Sequence, residues 1–319
     1  MTNLTDDYPG PTTVGAVLAV DFSVTPPLAS FRHNEGTKFA TMCNRTKPRS
    51  YAPSNAVTIN RVNGSALVVA TGIPTLVNRF DSRTLAPLAT PYPLRNEPAS
   101  FPGPRQTPPT IEAPFFGPGH DPSDTNGDIY GYVYIYRPRP AYEIFKIPAG
   151  SDHRQRVATV TASEQFATRG APAFSHQGLM LTPSYLILME APCLMPNQSV
   201  PFSYAAAGAG WMPAGHVVFR VLDKRTGAEL ASYSSRRSFF SWHHVNCWEN
   251  STHISMDLTW VPTGQSILKG MSGQLLPFDW EGKLVRLTMP NPSAAAAAAK
   301  STAGEDARWH QVSARFPVK

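Results

Sequence analysis

The feature that most constrains the fold of this chain is a succession of short β-branched and aromatic runs, each cut off by turn residues. They lie at 15–22, 66–70, 76–80, 128–136, 142–147, 157–162, 185–190, 217–222, 254–261 and 283–288. Side chains of this kind suit a pleated, half-buried surface, whereas Gly, Pro, Asn and Asp end one. Clusters of that second kind stand between the runs, as in Asn63-Gly64, Asp121 to Gly127 and Asp223 to Gly227. The chain has 32 prolines and 22 glycines, about a sixth of its 319 residues, which favours many short strands over long helices. With 42% hydrophobic and 16% charged residues it can bury a sizeable core, so the pattern predicts an all-β fold.

A weak internal echo refines the architecture. Asp-x-x-Thr follows a strand-like run at Asp81–Thr84 and Asp223–Thr226, and with one extra residue at Asp121–Thr125. The first step matches the ~40–50 residue period of a propeller blade and the second is near twice that, so a radial array of small antiparallel sheets leads, with a β-sandwich as the alternative. Residues 84–118, rich in proline, read as a long loop. Residues 289–308, which hold an alanine tract, read as an irregular excursion with its flexible part at 292–308.

Charge and cysteine usage exclude several function classes. The formal net charge of +6 is spread thinly, without the basic tract of a nucleic-acid footprint. Cys43, Cys193 and Cys247 are too few and too widely spaced for a disulfide framework or a metal knuckle, which fits a reducing compartment. No signal-peptide pattern opens the chain and no stretch reaches the ~20 apolar residues of a membrane span, so a soluble, cytoplasmic protein is expected.

Nine histidines raise the question of a metal, because imidazole suits zinc, copper and iron alike. The chain has no HExxH and no Cys/His knuckle, so any site must be assembled from distant strands. One segment is Ser238-Phe-Phe-Ser-Trp-His243-His-Val-Asn246-Cys-Trp-Glu249, an apolar run that ends in two histidines, an asparagine and a carboxylate. Strand alternation puts His243 and His244 on opposite faces, so one ion can use only one of them. The other segment is His176-Gln-Gly-Leu-Met-Leu-Thr182, leading into Tyr185-Leu-Ile-Leu-Met-Glu190-Ala-Pro192.

Together these segments resemble the carotenoid oxygenase family, the carotenoid-cleaving dioxygenases. The first is similar to its Phe-x-x-Phe-His-x-x-Asn-Ala-x-Glu pattern. The second is similar to its pattern of a histidine, an apolar pair, Thr-x-x-Tyr, an aliphatic strand and Glu-x-Pro. Weaker likenesses at Val57-Thr-Ile59 to Leu85, at 217–227 and at Arg315-Phe-Pro317 extend the match over 51–319, with 1–50 ambiguous. The resemblance implies a seven-bladed β-propeller, here partial, whose axial histidines hold Fe(2+) with glutamates behind them. It further implies cleavage of a conjugated double bond of a carotenoid or apocarotenoid by O2 to carbonyl products, with peripheral membrane contact left open.

The metal ligands expected on this likeness are His176 and His243. The family's His-Pro-x-x-Asp-Pro motif, set against Gly117-Pro-Gly-His120-Asp-Pro122, puts Gly117 at a ligand position and leaves His120 as structural. His176 stands six residues before Thr182 where the pattern calls for five, a difference that a bulge absorbs. The fourth family histidine falls beyond Lys319, so the chain reads as a truncated or diverged member. The alternatives are a catalytically impaired remnant of the fold that binds an apolar ligand or a protein, and an unrelated propeller or sandwich.

Overall fold

In the computed structural model, side chains are described for Asp81 and for residues 120–136, 138–151, 153–173, 178–194, 210–235, 237–262 and 283–293. Elsewhere only strands are described. Among the described residues the chain forms four four-stranded sheets and one two-stranded hairpin, with a four-residue helix, α1 (Glu164–Ala167).

The hairpin pairs β1 (Gly15–Asp21) with β2 (Leu28–Asn34). The first sheet is a meander of β3 (Ala56–Val62), β4 (Ser65–Thr71), β5 (Leu76–Phe80) and β6 (Pro87–Tyr92). Its first pairing closes at Val62 opposite Ser65, on either side of Asn63-Gly64. In the second sheet β8 (Ile129–Ile135), β9 (Ala141–Ile147) and β10 (His153–Thr161) follow one another, and β7 (Arg95–Asn96) joins β10 in parallel. The third is β11 (Met180–Leu181), β12 (Tyr185–Glu190), β13 (Val218–Asp223) and β14 (Glu229–Ser234). The fourth is β15 (His244–Glu249), β16 (His253–Trp260), β17 (Lys283–Pro290) and β18 (Val312–Ser313).

All ten runs singled out in the sequence fall on strands. Consecutive four-stranded meanders are blades of a propeller, and the strands do not gather into the two facing sheets of a sandwich. The expected loop at 84–118 needs correction, because β6 and β7 lie within it. Both are short, and proline had masked them: Pro87 begins β6, a place where a strand tolerates a missing N–H. The start of the expected excursion at 289–308 also belongs to β17, which runs through Pro290.

Burial explains why some strands were conspicuous. All six residues of β12 are buried, and β8 is buried at six of its seven positions, because neighbouring sheets cover both faces. One apolar cluster runs through the second, third and fourth sheets, with Tyr132, Phe166, Phe219, Phe239 and Phe240 among its fully buried members. Polar clasps cross between the blades. The Tyr142 hydroxyl donates to Glu190 Oε1 (3.0 Å) and accepts the Ala173 N–H (2.8 Å), and Lys224 Nζ meets Asp124 Oδ2 at 2.8 Å. Glu249 accepts the Thr182 hydroxyl (2.7 Å) and the Ser184 N–H (3.1 Å), so the fourth sheet is tied to the third. Such buried donors and acceptors need partners, and each clasp also fixes the offset of one blade against the next.

Candidate metal centre

The segment ahead of β8 meets both the residue just ahead of β15 and the residue two places ahead of β11. The segment His120-Asp-Pro-Ser123 folds back on β8, with a bridge between Ser123 and Ile129 and the Tyr130 N–H donated to the Pro122 carbonyl (2.9 Å). The Asp124-Thr-Asn-Gly-Asp128 turn makes that reversal. Asp124 Oδ1 accepts the Asn126 and Asp128 N–H groups at 2.9 and 3.0 Å, and Gly127 takes φ +86°, which a side chain would oppose. His120 is thereby delivered to the neighbourhood of His243, the residue just before β15. The two ring centroids are 5.9 Å apart and the planes nearly perpendicular, at 88°.

His243 is exposed, but its backbone is held firmly. Thr259 Oγ1, on β16, accepts the N–H groups of both Trp242 and His243 at 2.9 Å. The His243 carbonyl accepts the Thr259 N–H at 2.9 Å and the Ser241 hydroxyl at 3.1 Å. The preceding aromatic residues anchor the segment: Phe240 exchanges both backbone hydrogen bonds with Val261, and Phe239 stacks on Trp260 at 4.1 Å. A bulge at the start of β15 shifts the register between His244 and Asn246.

On the other side, Asp121 and Arg154 are buried together. Burial raises the Asp121 carboxyl to about 7, against the pull of Arg154. Burial lowers Arg154 to about 10, against the fields of Glu143 and Asp121, and its guanidinium lies 5.0 Å from the Phe145 ring centre. Removing Arg154 would leave the buried Asp121 carboxyl, next to His120, without the opposing charge that favours its ionised form, a costly change.

The electrostatics favour neutral imidazoles. Burial and then the nearby His243 lower the pKa of His120. His244 is pushed down to about 3, chiefly by burial, with the Gly178 backbone opposing and His120 and His243 adding to the shift. Both its ring nitrogens are buried without a hydrogen bond of ordinary geometry. A neutral ring keeps a lone pair, which is the form that binds metal.

Of the two ligands expected from sequence, His243 is in this cluster and His176 lies outside the described residues, as does Gly117. The structure adds His120 and His244, which the sequence reading had passed over. Among the described residues no three His, Cys, Asp or Glu side chains stand ready to close around a metal ion. The pair that is described offers two imidazoles from separate blades, a donor type that suits first-row transition metals. Glu190 and Glu249 are engaged with other partners. Glu190, with its pKa raised by burial, is occupied by Tyr142, the Ser163 N–H (2.9 Å) and Arg220 (3.6 Å), and Glu249 serves the Thr182 clasp.

A family model described as retinal pigment epithelial membrane protein matches residues 31–317. The chain belongs to that family, the carotenoid oxygenases. Among curated members, the mitochondrial carotenoid-cleaving dioxygenase of Macaca fascicularis is 24% identical over 155 residues, covering 46% of this chain and 28% of that protein. Torulene dioxygenase of Fusarium fujikuroi is 24% identical over 207 residues, covering 60% and 31%. Cobalt-substituted apocarotenoid oxygenase of Synechocystis superposes with a TM-score of 0.51 at 15% identity, over 80% of this chain and 48% of that one. A chimera of that enzyme with the retinal pigment epithelial protein gives 0.52 at 16%, with the same coverage. These likenesses make the blades those of a carotenoid-oxygenase propeller, present in part. The chain spans about half the length of the solved structures and under a third of the curated relatives it matches. No helix among the described residues is long and apolar enough to cross a membrane.

Proposed function

We propose that this carotenoid oxygenase chain contributes to a non-haem iron(II) centre that cleaves a conjugated double bond of a carotenoid or apocarotenoid. One C=C bond and one O2 yield two carbonyl groups, so both oxygen atoms end in products and no reductant is needed. The observation that carries the reading is the approach of His120 to His243, 123 positions apart in sequence, at 5.9 Å between ring centres. Both residues would hold the ion, together with His176. When bound, ferrous iron supplies open coordination positions and the redox chemistry that side chains lack.

The chain's own residues prepare that place. Burial keeps His120 neutral, Thr259 fixes the backbone of His243, and Arg154 supplies the charge opposing the buried Asp121 carboxyl next to His120. The expected fourfold imidazole set keeps carboxylates away from the ion, and Glu190 and Glu249 are accordingly engaged elsewhere. The names of the relatives support a carotenoid substrate, and the cobalt-substituted neighbour supports a metal requirement.

The test is anaerobic purification with ferrous iron, followed by metal analysis and by carotenoid in detergent with O2. Bound iron with carbonyl products supports the reading; absence of both overturns it. A remnant that binds an apolar ligand without chemistry is the second reading. It draws on the described donors, which do not reach three around one point. Carotenoid binding without metal or product would favour it.

A further inference from the structure

Gly178, two residues before β11, lies directly against the backbone of the His120 segment. A Cβ at this position would stand 2.3 Å from the His120 carbonyl oxygen, 3.0 Å from its carbon and 3.3 Å from Pro122 Cδ. The two nearest obstacles are backbone atoms, so a side-chain rotation cannot relieve them. The φ of Gly178 is not in the left-handed region, so the requirement for glycine here is one of space and not of conformation. Position 178 thus packs on the segment that carries His120, whose ring in turn lies 5.9 Å from that of His243 in the fourth sheet.

We propose that Gly178 is a positioning residue of the imidazole cluster, its missing side chain setting how closely His120 approaches His243. This extends the metal-centre reading above and rests on it for its consequence in metal binding. A methyl group at 178 displaces the His120 backbone outward from the third sheet. The ring then leaves the place where it faces His243, although Gly178 itself binds nothing. Residues that hold metal ligands in place are worth about 10–100-fold in affinity when disturbed.

The experiment compares Gly178→Ala with Gly210→Ala. The second variant puts a Cβ 2.5 Å from the Leu194 carbonyl oxygen, a clash of similar kind away from the histidines. Two readouts are taken: histidine ring resonances by NMR in metal-free protein, and cobalt(II) affinity by optical titration. Gly178→Ala is expected to move the His120 and His243 resonances and to weaken cobalt binding by about tenfold or more, while Gly210→Ala lowers stability alone. Unchanged histidine resonances in Gly178→Ala, or equal effects of the two variants on cobalt, would overturn the inference. Wild-type protein that takes up no cobalt defeats the metal-centre reading instead, and the resonances still decide whether position 178 places His120. If Gly178→Ala does not fold, the double variant with Pro122→Ala frees the displaced segment to swing aside, and the same shifts are expected in it.

Discussion

Replacing Thr259 by valine keeps the shape of the side chain but removes the acceptor that serves the Trp242 and His243 N–H groups, each at 2.9 Å. A hydrogen bond contributes about 0.5–1.5 kcal/mol net, so two of them put the loss at about 1–3 kcal/mol. The exposure of His243 lets water take over part of the task, which favours the lower half of that range. With an unfolding entropy of about 2.1 cal/mol/K per residue over 319 residues, that lower half lowers the melting temperature by about 1.5–3 °C. The backbone of His243 also loses its tether, so metal affinity should drop by about tenfold or more. Differential scanning calorimetry and cobalt(II) titration of the same preparation read the two effects. A lowered melting temperature with unchanged affinity would refute the claim that Thr259 organises the site, and no change in either would refute the hydrogen-bond accounting as well.

Tyr142→Phe removes a buried donor to Glu190 and the acceptor of the Ala173 N–H, so a loss of about 2–4 kcal/mol is expected in urea denaturation. His244→Leu replaces an imidazole whose nitrogens are buried without ordinary hydrogen bonds, so it should be neutral or stabilising by about 1 kcal/mol, as read by thermal melting. At Asp124, burial raises the pKa, but Lys224 and the Asp128 and Asn126 N–H groups outweigh it and hold the carboxyl below its ordinary 3.8. The stability this contributes is present above that value and lost as pH falls through the lower folded value; the gap between wild type and Asp124→Asn should therefore narrow on acidification below pH 4 or so, by pH-dependent urea melts.

Strands buried on both faces were legible because they must be apolar throughout, as Tyr185-Leu-Ile-Leu-Met-Glu190 is. β14 escaped notice because four of its six residues are exposed, while the strand expected over 238–249 is shorter than its apolar start suggests, β15 beginning only at His244. His243 stands out in the sequence because its motif is local: Phe239, Phe240, Trp242 and Asn246 lie within a few residues of it, although Thr259, which holds its backbone, does not. The motif reads His120 as structural when Asp121-Pro122 serves as its landmark. Asp124 is the aspartate that makes the turn, and counting four residues back from it, as His-Pro-x-x-Asp requires, leads to His120. Gly178 had no local signature, since a close approach between backbones from different sheets is set only by their packing.

Cobalt(II) titration of the wild type, His120→Ala and His243→Ala under anaerobic conditions tests the shared imidazole centre most directly. The structure predicts that the wild type takes up one ion per chain and that either substitution sharply weakens it with an altered visible spectrum. Binding that is absent from the wild type, or that survives both substitutions unchanged, would contradict it.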